Sequence, residues 1–202
     1  MKILKKINLG LVLTIIVVLA VVIYSINVEG QRKSSKEEIR KSCEEYIDLV
    51  DKYAVLPESA QVFGEDVKKV NLDDHFAEME GKLKEVMISD SAASIENSIL
   101  SDYVQRDLLN TTTFVTSYDK QIVKIKSYNF DGNQVTVSFE AKINIKQKYM
   151  DVNTETGESK ERVKEDTIEG IRDTITLEKK DGKWKVVYSD LNFGDSELSN
   201  AM

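Results

Sequence analysis

Hydrophobic and polar positions divide the chain into three regimes. From Ile7 to Val28 there are 22 residues without a charge or a proline, and apolar side chains fall on every face of a helix drawn through them. From Ser34 to about Asn110 the apolar positions recur at three- and four-residue steps, the period of an amphipathic helix. From Thr111 onward the period changes to two, the signature of strands with one buried and one wet face.

The first regime predicts a membrane-spanning helix. At about 1.5 Å per residue its length matches a hydrocarbon core of about 30 Å. Lys2, Lys5 and Lys6 precede it, as in a secretory signal, but the apolar run exceeds the usual range and no small-x-small cleavage site closes it. An uncleaved signal-anchor over residues 7–28 is therefore expected, with residues 1–6 as a short cytoplasmic segment. A spacer over 29–33 would then lead to an extracytoplasmic domain at 34–193 and a polar tail at 194–202. Basic residues also follow the run (Arg32, Lys33, Lys36, Arg40, Lys41), so orientation rests on the absence of a folded amino-terminal domain and the need to place a large carboxy-terminal one.

In the second regime, Ile39, Cys43, Tyr46, Ile47, Val50, Tyr53 and Ala54 form one helical stripe, and the lone proline, Pro57, ends that helix or starts the next element. A second helix reaches about Ile88, with Asp73 or Asp74 as its cap. A third spans about Ser91–Leu109, with Ile95, Ile99, Leu100, Tyr103, Val104 and Leu108 inward. In the third regime, Val135, Val137, Phe139, Ala141, Ile143, Ile145 and Tyr149 alternate with polar residues along one long strand. The stretch QIVKIKSYNF enters it through Asp131-Gly132-Asn133, a hairpin signal. A strand over about Thr167–Leu177 follows, with Gly170 marking a bulge. Asp181-Gly182 then turns into a last strand, with Trp184, Val186 and Tyr188 on one face. The order predicts an α+β domain: helices packed on a curved antiparallel sheet of about four strands.

The ending KKDGKWKVVYSDL, residues 179–191, after helices and a long antiparallel sheet, resembles the nuclear-transport-factor-two-like superfamily, also called SnoaL-like or cystatin-like cone folds. The resemblance covers about residues 34–193. It implies a cone with the helices on the concave face of the sheet. In family enzymes that concavity holds an Asp–His or Tyr–Asp acid/base set. The single histidine here, His75, lies in the helical half, so no catalytic residue carries across. Membrane-anchored bacterial members include binding and scaffold domains of secretion and conjugation machines, and an assembly role of that kind is the expectation.

Charge narrows the partners. Beyond residue 28 lie 35 acidic and 25 basic residues, a formal charge of −10. Phosphate-backbone binding draws on Lys and Arg clusters, so nucleic acid is not expected. One cysteine permits no intrachain disulfide, and Cys43 within an apolar stripe reads as a small buried hydrophobe.

With one His and one Cys, no zinc site is expected. Asp73, Asp74, His75 and Glu78 could meet a cation, but surface charges at a helix start are the plainer reading. No nucleotide-binding glycine motif occurs, and no cofactor is expected. The carboxylates Asp173 and Glu140 both read as wet-face residues. Phe139, Tyr149, Trp184 and Tyr188 would line a ligand pocket on a concave sheet face, against the plainer expectation that aromatics at strand spacing fill the core. The chain therefore reads as a non-catalytic anchored module, held to the lipid bilayer and engaging an envelope protein. The alternative is a small-molecule-binding or enzymatic cone domain, and a homo-oligomer is compatible with either.

Overall fold

In a computed structural model the chain divides into two units, Met1–Arg40 and Lys41–Met202. Residues 18, 35–64, 70–110 and 112–193 are described. The expected signal-anchor, apart from helical Val18, and the polar tail lie outside the described residues. Among the described residues, no helix is long and apolar enough to cross a membrane. The first unit ends in helical residues 35–40.

The second unit opens on helical residues 41–53 (α1) and continues through a 3-10 turn, Glu58–Ala60, with Pro57 at its amino-terminal boundary. Helices α2 (Asp73–Val86) and α3 (Asp90–Leu108) follow. Strands β1 (Thr113–Asp131), β2 (Gln134–Val152), β3 (Ser159–Lys180) and β4 (Lys183–Asp190) then form one antiparallel sheet in the order β1-β2-β3-β4. The α+β reading and the four-stranded meander hold. Both β1 and β3 are longer than the sequence pattern indicates: a bulge between Val115 and Ser117 breaks the alternation early in β1, and the first half of β3 carries few apolar residues.

The helical stripe folds as its spacing dictates: Cys43, Tyr46, Ile47, Val50, Tyr53 and Ala54 are all essentially buried. Burying side chains of this size contributes about 1.5–3 kcal/mol each. Two details differ. Neither Asp73 nor Asp74 caps α2; Asn71 Oδ1 accepts from the Asp73 N–H at 2.8 Å, and the two aspartates occupy the first turn. Ser89 caps α3 by accepting from the Ala92 N–H.

On α3, Ile95 and Ile99 are exposed rather than inward, at 61% and 57%. Leu100 and Val104 are buried as expected, and the helix buries Ala93 beside them. The cause is Glu96, which turns inward to accept a hydrogen bond from the Tyr46 hydroxyl at 2.7 Å. A partly buried polar anchor thus holds a rotation that keeps Leu100 and Val104 inside and leaves the two isoleucines in water.

Bulges reset the alternation on three of the strands. Ala141 pairs with Ile171 and Ile143 with Ile168, so β3 carries one extra residue between them, and Gly170 there has φ +74°. The extra residue lets Ile168 and Ile171, of opposite parity, serve the same side, as a bulge requires. On β4, Val186 pairs with Leu177 but Tyr188 with Thr176, leaving Val187 as the extra residue. On β1 there are three shifts, the last two around Val123 and Lys126.

Both sheet edges are partly covered. Ile88 N–H donates to Val186 O at 2.8 Å beside β4, and Asp107 and Asp51 accept from the Val115 and Lys120 N–H groups on β1. Exposed edges invite pairing with other chains, and these contacts blunt them.

At Gly170 an added Cβ would meet open space, so only the backbone conformation resists it. Gly170→Ala should therefore lower stability by about 1–2 kcal/mol, the cost of a left-handed L-residue. Urea unfolding with an unchanged slope is the check; no loss at all would mean that the bulge is not needed.

Candidate functional site

Three polar side chains lie deep between helices and sheet: Lys120 on β1, Asp173 on β3 and Asp51 on α1. Each sits on an apolar pattern. Lys120 alternates with Tyr118 and Ile122, Asp173 with Ile171, Ile175 and Leu177, and Asp51 lies next to Val50 and four residues after Ile47. The strand period therefore drives Lys120 and Asp173 inward, whatever their polarity. This corrects the wet-face expectation for Asp173, which is 2% exposed. Glu140 does face solvent, on the other side of the sheet, and pairs with Lys126. The two carboxylates point away from each other and form no acid/base pair.

The Lys120 ammonium donates to Asp173 Oδ2 at 2.7 Å and to the carbonyl of Asn192 at 2.8 Å. Asp173 Oδ1 accepts from the Asn192 N–H at 2.9 Å. The backbone N–H and C=O of one residue just past β4, in two successive peptide units, are thus both held. The Phe193 ring follows, with the Lys120 Nζ 5.1 Å from its centroid, between Tyr103 and Tyr118 at 5.0 and 5.4 Å. Asp51 Oδ2 accepts from the Lys120 N–H.

Desolvation lowers the Lys120 pKa despite the nearby carboxylates, because burial opposes the charged form. Burial likewise pushes Asp51 up to about 6, partly offset by the Lys120 N–H and ammonium. A second knot lies nearby, where the Tyr46 hydroxyl meets Glu96 and, at 2.8 Å, the Ser189 hydroxyl. Burial raises the Glu96 pKa. In both knots every polar group is turned to a neighbour in the chain, an arrangement that ties α1, α3 and the end of β4 to the sheet.

The four aromatic candidates do not converge. Phe139 is core at 1% exposure, and Trp184 is half-buried, with Lys179 Nζ 5.6 Å from its ring. Tyr149 is half-buried ten residues further along β2, roughly 33 Å at strand rise. Tyr188 is 61% exposed, because the β4 bulge at Val187 turns it to the open face beside Thr176. They line no single space.

Around His75, the Tyr53 ring lies 5.4 Å away, and Glu78 accepts from the Tyr53 hydroxyl and pairs with Lys52. Among the described residues no group of His, Cys, Asp and Glu is placed to hold a metal. Cys43 is buried, and desolvation pushes its thiol up to about 12, far from a reactive thiolate.

Two polar cross-strand rows lie side by side on the open face of the sheet. Asp119, Asn144 and Thr167 form one cross-strand row, with Asn144 donating to Asp119 at 2.9 Å and accepting from Thr167 at 3.0 Å. Ser117, Lys146 and Glu165 form the next, with a Lys146–Glu165 pair at 2.7 Å. The two rows line a shallow groove of about 490 Å³.

No family model matches the chain, and no curated protein matches it. Among solved structures it is similar to the crystal structure of the intermembrane space region of the chloroplast protein ARC6. The two are 16% identical with a TM-score of 0.34, over 74% of this chain and 93% of that one. A score of that size does not establish a shared fold.

Removing one partner of a buried ion pair strands the other, at a cost of about 3–5 kcal/mol, whereas replacing both with apolar groups is often close to neutral. Lys120→Met should lose that amount in denaturant unfolding, and Lys120→Met with Asp173→Leu should recover most of it. Equal losses in both would show that the Asn192 contacts dominate.

Asp51 gives a pH signature. Its folded pKa is raised, so the stability contributed by its bound proton is whole below about pH 4 and lost as pH rises through about 6. Asp51→Asn keeps an oxygen for the Lys120 N–H. It should remove a decline on the order of 2 kcal/mol between pH 4 and 7; a pH profile identical to the parent would exclude Asp51 as its source.

Proposed function

We propose that this protein is a single-pass, membrane-anchored module of the bacterial cell envelope whose extracytoplasmic α+β domain binds a protein partner without catalysis. The amino-terminal run, residues 7–28, is its anchor, with the amino-terminus in the cytoplasm. The domain is a cone-like member of the nuclear-transport-factor-two-like superfamily, related in architecture to scaffold domains of secretion, conjugation or transport systems. Tethering raises the domain's effective concentration toward partners in the same membrane.

The observation that carries the reading is how the interior polar groups are used. Lys120, Asp173 and Asp51 are held by one another and by the Asn192 backbone, where a catalytic site would aim such groups at a substrate. Phe139, Tyr149, Trp184 and Tyr188 surround no common space, which weighs against a ligand cavity. The length and uniform apolarity of residues 7–28 support the anchor.

In bacterial cells expressing the full chain, alkaline carbonate should leave it uncut in the membrane pellet. External protease on cells with a permeabilised outer barrier should degrade the carboxy-terminal domain, and in-cell cross-linking should capture an envelope protein. Release by carbonate would remove the anchor. Full protease protection would reverse the topology, and thermal stabilisation by a metabolite would favour the ligand-binding alternative.

A further inference from the structure

Charge is segregated within the second unit. The three helices, with α1 taken as residues 41–53, carry 13 acidic and 5 basic residues, and the four strands 11 acidic and 14 basic. The strand excess gathers in one row of the open face. Lys124 on β1 stands opposite Glu140 on β2, which stands opposite Arg172 on β3. Lys126, displaced by the β1 bulge, pairs with Glu140, and Lys142 lies two residues along β2 on the same face.

Glu140 is thereby neutralised: its pKa is lowered first by the Lys126 hydrogen bond and charge, with Lys124 and Arg172 adding. Among the described residues, Lys124, Lys142 and Arg172 have no ion pair of their own. Lys124 and Arg172 are exposed and Lys142 half-buried. The row spans two strand spacings, about 10 Å.

We infer that this row docks a short, carboxylate-rich segment of a partner protein. The inference rests on the proposed binding role and names the partner's chemistry. Two length scales select this occupant. A formal charge of −10 beyond residue 28 repels large polyanions, including nucleic acid and anionic bilayers, as they approach. Within a Debye length of about 8–10 Å, however, a small ligand senses local charge, and here Lys124, Lys126, Lys142 and Arg172 stand around one carboxylate, Glu140.

A flexible acidic segment reaches them without bringing a second extended negative surface. Arg172 offers a planar fork for a carboxylate, and the two lysines add point charges on either side. The neighbouring Asp119–Asn144–Thr167 row offers further polar positions along the same face.

The test uses the full chain in nanodiscs of neutral lipid and a short fluorescein-labelled peptide of alternating glutamate and serine. Binding should appear at low salt, weaken at least about tenfold at physiological salt, and be absent for the glutamine counterpart. Lys124→Glu with Arg172→Glu should abolish it. Lys160→Glu with Lys183→Glu, the same charge change away from the row, should keep it within about twofold. If the first pair of reversals lowers the melting temperature, Lys124→Gln with Arg172→Gln supplies the reading, expected as at least about tenfold weaker binding.

Equal loss in both reversed variants would overturn the site in favour of a general field. So would tighter binding to phosphatidylglycerol vesicles or single-stranded DNA than to the peptide, or no peptide binding at low salt. Cross-linking to an envelope protein that survives the Lys124/Arg172 reversal would overturn this row while leaving the anchored-module reading intact.

Discussion

A positive charge without water must be surrounded by something that replaces water, and the Lys120 ammonium sets that condition for the whole domain. Its side chain is fully buried, so the partners that satisfy it are fixed in place. Asp173 brings β3, and Asn192 brings the segment past β4, while Asp51 ties α1 to the same residue through its N–H. Desolvating an ion costs several kcal/mol, and only good geometry from all partners together offsets it. A helix–sheet domain can slide along an apolar interface at little cost; it cannot slide once a charge has a single acceptable location. The second knot, Tyr46 with Glu96 and Ser189, does the same for α3.

This explains where hydrophobic pattern decides the fold and where it yields. The α1 stripe and the inward face of β2 fold as read, because every position in them is apolar and nothing competes. The rotation of α3 departs from its pattern because Glu96 is committed to Tyr46, and Ile95 and Ile99 are left in water. A one-residue pattern cannot show that a carboxylate outranks two isoleucines; only the contact partner, 50 residues earlier in sequence, decides it.

The interior site escapes the sequence reading, which puts Asp173 on the wet face and passes over Lys120 and Asp51, although each interrupts an otherwise apolar series. What sequence could not supply was their convergence, since the residues come from three elements. The bulge at Gly170 was visible as a break in alternation. That at Val187 was not, because Val is at home in a regular strand, and it turned Tyr188 away from Trp184. The cationic row was hidden for another reason: Lys124, Glu140 and Arg172 become neighbours only through strand register, and the acidic total obscured a local excess of the opposite sign.

Among the described residues β4 pairs with β3 only from Thr174 onward, leaving the stretch Ser159–Asp173 with one bare edge. Such an edge is a template for fibril growth, in which copies stack in register about 4.8 Å apart. Here the sequence Lys160, Glu161, Arg162, Val163, Lys164, Glu165, Asp166 would set each charge against its own kind in every added layer. The alternation that is harmless within one molecule becomes repulsive in a stack, so this long uncovered strand carries its own protection against amyloid.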